Sequence, residues 1–217
     1  MILNFRTRSK NARGILETVM AYYRMYRHHL FDTYKEVFLM ENKKLLEEIR
    51  SYWNNRADGY SRVNQEELHS EQKEKWKEVL LEQLPKKEKD QVQILDIGTG
   101  PGFFAILLAE EGYQVTAVDY TEQMLQEAKS NAADLADQIS FKRMDAQNLE
   151  FPKETFDYIV TRNVTWNLEH PKRAYREWQR VLKPGGKILN FDANWYAYLY
   201  DDKLKLGYEQ DRQKRNR

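Results

Sequence analysis

Residues 93–103 read QILDIGTGPGF, and this stretch limits the possible folds of the chain more than any other. A short β-rich run gives way at once to glycines at 98, 100 and 102. Glycine adopts positive φ without strain and leaves no side chain where another group must approach the backbone. A tight strand-to-helix connection needs one such residue, whereas three at alternate positions point to a loop shaped for a ligand. The apolar FFAILLA that follows starts a helix, and its free N–H groups and positive dipole end face the loop. Asp96 falls at the end of the strand, which predicts a place at the pocket mouth and not in the core.

The rhythm continues down the chain. VQILDIG (92–98), YQVTAVD (113–119), ISFKRMD (139–145), FDYIVTRN (156–163) and GKILNFDAN (186–194) read as strands. Helices are predicted near 102–111, 121–135 and 171–182. Repeated strand–helix units of this length imply a parallel sheet covered on both faces, with right-handed crossovers. LKPGGK reads as a loop before the last strand. Upstream, Leu45, Leu46, Ile49 and Trp53 recur at helical spacing and predict a helix over 41–57. A second helix is expected over 64–84, with Leu68, Trp76, Val79, Leu80 and Leu84 as its buried stripe, before the linker PKKEKDQ. The expected organisation is a helical N-terminal extension (1–39), a helical lid or cap (40–90), an α/β domain (91–200) and a charged tail (201–217).

Composition removes several function classes. The chain of 217 residues balances 35 Lys and Arg against 34 Asp and Glu, so no global charge favours nucleic acid. The absence of cysteine excludes disulfides, thiolate metal sites and a cysteine nucleophile. No apolar run is long enough to span a membrane as a helix, and a cytoplasmic setting is the simplest expectation. His28 and His29 are adjacent, so a helix would point them to different faces, a poor metal pair. No metal site is expected.

The strand ends carry the chemistry. Asp119 ends the second predicted strand, where a carboxylate can accept both hydroxyls of a ribose. Asp145 and Asn163 end the third and fourth, on the sheet edge where open α/β folds bind ligands. Two cofactors compete for such a pocket. GPGFFA (100–105) matches a dinucleotide fingerprint, which keeps an NAD(P)-dependent oxidoreductase open. A carboxylate at Asp96, however, would repel a pyrophosphate and suits an ammonium group.

LDIGTGPG, VDYTEQML, KRMDAQNLEF, FDYIVTRN and RVLKPGGKIL, in this order, resemble a class I S-adenosylmethionine-dependent methyltransferase over roughly residues 50–195. The resemblance implies a Rossmann-like doubly wound sheet of five parallel strands in the order 3-2-1-4-5, with S-adenosyl-L-methionine as cofactor. It further implies that Asp96, Gly98, Thr99, Gly100 and Gly102 hold the methionine part, and that Asp119, with Tyr120 beside it, takes the ribose. Met124 matches a position that packs on adenine, Asp145-Ala146 the pair that reads the adenine edge, and Asn163-Val164 the segment beside the methyl group. SYWNNRADGYS (51–61) is similar to a short lid element, which makes Tyr52, Arg56 and Tyr60 lid candidates at the cofactor. Each of these three has the alternative of simple packing on the sheet domain.

The acceptor side is less defined. Arg162, Asn163, Trp166 and Asn167 follow the fourth strand, and His170 stands before Pro171, where a helix cap is the stronger reading than a base. Trp195 and Tyr196 are further candidates for a substrate wall, with plain core packing as the alternative. The fourth strand ends TRNV and lacks the Asn-Pro-Pro-Tyr pattern of enzymes that methylate nucleic-acid or glutamine amides, which leaves a small-molecule O, N or C acceptor. The family's sixth and seventh strands have no counterpart after residue 194. That predicts an exposed fifth strand, open to pairing in a homodimer. It also keeps a third alternative, a cofactor-binding fragment without catalysis.

Overall fold

The computed structural model describes residues 2–3, 42–193, 199–201, 203–207 and 209. A two-residue strand, β1 (Ile2–Leu3), precedes three helices, α1 (Asn42–Asn54), α2 (Ala57–Leu68) and α3 (Glu71–Leu81). Then come β2 (Gln93–Ile97), α4 (Phe103–Glu110), β3 (Gln114–Asp119), α5 (Glu122–Ala132) and β4 (Ile139–Arg143). The alternation closes with β5 (Phe156–Arg162), α6 (Pro171–Val181) and β6 (Leu182–Phe191). The sheet order is β1-β6-β5-β2-β3-β4, and the five strands β2 to β6 are mutually parallel. Counted along the chain, those five stand in the expected order 3-2-1-4-5.

Strand alternation divides the core between the two faces. Ile94 of β2 packs with Val115, Val160 and Leu189 beneath α4, whereas Leu95 and Ile97 pack with Ile159 and Ile188 beneath α6. Every residue of α4 from Phe103 to Ala109 is buried, which explains the all-apolar FFAILLA. Each large side chain buried this way contributes about 1.5–3 kcal/mol. Asp96 shares the face of Ile94 by the same alternation, and so points toward the start of α4.

Three expectations change. The helix predicted over 64–84 is two helices, because Ser70 caps a new one: its hydroxyl accepts the Gln72 N–H at 3.2 Å. LKPGGK is the irregular first half of β6 and not a free loop. Leu182 pairs with Phe156 and Lys187 with Tyr158, and the register shift between them absorbs Pro184 and the positive φ of Gly185. The outer edge of the fifth parallel strand is also covered, since Ile2 and Leu3 pair antiparallel with Leu189 and Ile188. The exposed edge that suggested a homodimer is therefore occupied at those positions by the chain's own start. The rest of the predicted extension, with His28 and His29, and also Trp195 and Tyr196, lies outside the described residues. Among the described residues, no helix is long and apolar enough to cross a membrane.

Candidate functional site

A cavity of about 850 Å³ lies over the carboxyl ends of β2 to β5 and beneath α1 and α2. One half is built by strand ends. Gly98 (φ +64°), Gly100 (φ +53°) and Gly102 (φ +95°) all sit in the left-handed region that favours glycine, and each has a different reason. A Cβ at Gly98 would lie 2.4 Å from Cγ2 of Val164, so the loop and the segment after β5 are in direct contact. At Gly100 no atom lies within 4 Å of such a Cβ, which leaves bare backbone facing open space. Gly102 does not line the cavity. It is the N-cap of α4, and a Cβ there would meet that of Ala128 on α5 at 3.1 Å, so its role is helix packing.

Asp96 is not at the mouth but on the cavity floor, 2% exposed. Its Oδ2 accepts the Thr99 hydroxyl at 2.7 Å and the Ala105 N–H at 3.1 Å. The second bond caps α4, because Gly102 has no side chain with which to do so. Burial pushes the Asp96 carboxyl up to about 7, against the pull of these two bonds, and the Asp119 charge adds to the rise. Asp119 ties β3 to the glycine loop: Oδ2 accepts the Gly100 N–H at 3.0 Å and Oδ1 the Thr121 N–H at 2.8 Å. Burial raises its pKa as well. Asp145 Oδ1 accepts the Gln147 N–H at 2.8 Å, and the Ala146 carbonyl accepts Nε1 of the fully buried Trp178 at 2.8 Å. A side chain on α6 thereby fixes the Asp145-Ala146 turn.

The other half is built by helices docking on β5. Asn131 of α5 accepts Ser61 Oγ at 3.3 Å and Gln65 Nε2 at 2.8 Å, and donates to the Pro101 carbonyl at 3.0 Å. One side chain thus joins α2 to the glycine loop. Arg162, at the end of β5, donates through Nη1 and Nη2 to the two carboxylate oxygens of Glu67 at 2.9 and 2.8 Å. Its guanidinium also lies 4.9 Å from the centre of the Trp76 ring and 5.0 Å from that of Phe103. Arg162 is therefore held by a carboxylate and aromatic faces. Trp53 of α1 stands edge-on to Tyr60 at 5.1 Å and to Trp166 at 6.1 Å, closing the cavity with ring surfaces.

Of the residues singled out by sequence, Arg56, Tyr60, Asp96, Gly98, Thr99, Gly100, Asp119, Tyr120, Met124, Asp145, Ala146, Arg162, Asn163, Val164, Trp166 and Asn167 line this one cavity. Tyr120 is held there from α1, its hydroxyl donating to Glu47 at 3.0 Å. Asn163 (φ +57°) shapes the chain after β5: its N–H donates to the Phe191 carbonyl at 2.8 Å and its Oδ1 accepts the Ala193 N–H at 3.3 Å. Tyr52 is outside the cavity, 48% exposed, with the Arg56 guanidinium over its ring at 4.4 Å. His170 is outside it too; it occupies the N-cap position of α6 without a side-chain cap bond, and its ring faces Glu169 at 3.5 Å. Glu67, Asn64 and Asn131 were not legible from sequence, because the partners of Glu67 and Asn131 lie tens of residues away. Only the helical phase of Asn64 and Glu67, one turn apart, hints that they share a face.

Comparisons with known proteins agree with this geometry. Residues 95–190 match the family model described as "Methyltransferase domain". The ubiquinone biosynthesis O-methyltransferase of Coxiella burnetii is 31% identical over 109 residues, 49% of this chain and 47% of that protein. The ubiquinone/menaquinone biosynthesis C-methyltransferase of Rickettsia massiliae is 31% identical over 144 residues, 63% of this chain and 54% of that one. The chain thus spans about half the length of the curated relatives it matches. A crystal structure from Methanococcus maripaludis, described as an S-adenosyl-L-methionine-dependent methyltransferase, superposes with a TM-score of 0.57 at 26% identity, covering 64% of each chain. With the 3-2-1-4-5 order of its parallel strands and the acidic glycine-rich loop after β2, the chain is similar through residues 95–190 to the class I S-adenosylmethionine-dependent methyltransferases.

Proposed function

We propose that this chain transfers a methyl group from S-adenosyl-L-methionine to a small-molecule O, N or C nucleophile by in-line displacement. The observation that carries this reading is the convergence of Asp96, Gly100, Asp119 and Asp145-Ala146 on one cavity. Their chemistry fits the cofactor. Gly100 presents backbone with open space before it, Asp96 offers a carboxylate to an ammonium, and Asp119 keeps lone pairs for ribose hydroxyls. Asp145, with the Ala146 backbone anchored by Trp178, is suited to the polar edge of adenine. When bound, S-adenosyl-L-methionine supplies an electrophilic methyl carbon on a sulfonium.

The protein's part is alignment and exclusion of water. The glycine loop and Val164 hold the donor side, while Trp53, Tyr60 and Trp166 shield the acceptor side. The curated relatives named above act in ubiquinone and menaquinone biosynthesis, which supports a small molecule as acceptor. A cytoplasmic location belongs to the same proposal. Against a nicotinamide enzyme stands the placement of Asp96, whose carboxylate beside the loop disfavours a pyrophosphate.

Calorimetry with S-adenosylhomocysteine and with NADH tests the reading. We expect S-adenosylhomocysteine to bind and Asp119→Ala to weaken it about 100-fold, because a charged acceptor of several bonds is lost. Binding of NADH without binding of S-adenosylhomocysteine would sink the proposal. A fragment without catalysis predicts S-adenosylhomocysteine binding but no methylation of any acceptor in a panel.

A further inference from the structure

Arg162 reaches the cavity as the guanidinium nearest the end of β5, and its fork is already used. Both terminal nitrogens donate to Glu67, at 2.9 and 2.8 Å, and the two side chains are only 28% and 18% exposed. A bidentate guanidinium–carboxylate pair leaves no matching face for an incoming carboxylate or phosphate, which would also stand against the charge of Glu67. The rings around it are Trp76, Phe103 and Phe104, and Trp53 and Trp166 line the same cavity. One turn before Glu67, Asn64 is 7% exposed and its Oδ1 has no hydrogen-bond partner, so a hydroxyl donor would satisfy an otherwise unpaired acceptor.

We infer that the space between α2 and the end of β5 receives an uncharged, planar acceptor, and that Glu67 sets this preference by neutralising Arg162. The inference rests on the methyl-transfer reading above and names the acceptor class for it. Glu67 is thus a specificity residue. Its effect is on which molecule enters, through the charge left on Arg162.

The test uses the full chain saturated with S-adenosylhomocysteine and two probes of one shape, 2-naphthol and 6-hydroxy-2-naphthoate, with affinities from ligand-observed NMR. S-adenosylhomocysteine binding is measured first: its failure removes the methyl-transfer reading, whereas binding without the expected probe selectivity removes the acceptor inference alone. We expect the wild type to bind naphthol at least about tenfold more tightly than the naphthoate. Glu67→Gln frees the guanidinium and should raise naphthoate affinity about tenfold, and adding Arg162→Gln should abolish that gain. Equal or tighter naphthoate binding by the wild type overturns the inference, as does no naphthol binding at millimolar concentration. A folded Glu67→Gln chain without the gain also overturns it. Should Glu67→Gln not fold, the wild-type comparison decides by itself.

Discussion

The two halves of the cavity are held by different kinds of contact. On the donor side the partners are close along the chain: Asp96 with Thr99 and Ala105, Asp119 with Thr121 and Gly100, Asp145 with Gln147. Strand ends and the loops leaving them supply nearly everything. On the acceptor side Glu67 meets Arg162 across 95 positions, and Ser61 meets Asn131 across 70. Docked helices supply that half. The donor side is therefore fixed once the sheet forms, whereas the acceptor side depends on how α1 to α3 settle on it. Helices that dock through side chains can change those side chains without disturbing the sheet, which is where a fold can alter its substrate.

The comparison is broken most strongly where the glycine loop touches the segment after β5. Gly98→Ala combines a φ of +64° with a Cβ placed 2.4 Å from Val164, and should cost about 3 kcal/mol in denaturant unfolding. Val164→Ala in the same chain removes the clash but not the backbone strain, so the double variant should lose less than the two single losses summed. A strictly additive cycle would show that the two segments do not touch in solution.

Asp96 sharpens the comparison from the donor side. Its folded-state pKa, about 7, lies above the ordinary 3.8, so the native state keeps a proton that the unfolded chain has released between those values. The contribution of Asp96 to stability therefore falls as pH rises through that window and is level above it. Asp96→Asn should remove that slope and raise stability at pH 8 by on the order of 2 kcal/mol, seen as a Tm gain of several degrees. The same variant should bind S-adenosylhomocysteine roughly tenfold more weakly, since the ammonium loses its carboxylate. A flat difference between the two chains from pH 4 to 8 would contradict the assignment. On the acceptor side the smallest effect is expected at Ser70, outside the cavity. Ser70→Ala should cost about 1 kcal/mol by uncapping α3, with S-adenosylhomocysteine affinity unchanged.

Much of the donor half was legible in the sequence because strand period and glycine position are local signals. The ends of β2 to β5, the glycine loop and the acids at 96, 119 and 145 follow from alternation and from where alternation stops. Errors arose where a residue serves two neighbours. Gly102 belongs to the same glycine series but answers to Ala128 on another helix, and Asp96 is at the end of a strand yet buried under the start of α4. Ser70 was passed over because a helical stripe runs on both sides of it, although its hydroxyl starts a new helix.

The sequence by itself determined the strand–helix alternation, the parallel sheet and the acids at its strand ends, since each depends on periodicity and on short-range backbone geometry, while the strand order came with the family resemblance. Tertiary structure alone decided that Arg162 is neutralised by Glu67, that Asn131 ties α2 to the glycine loop, and that Ile2–Leu3 pair along the β6 edge. Those contacts join residues far apart in the chain. No local pattern encodes them, because their geometry exists only after the helices and the chain's start have docked on the sheet.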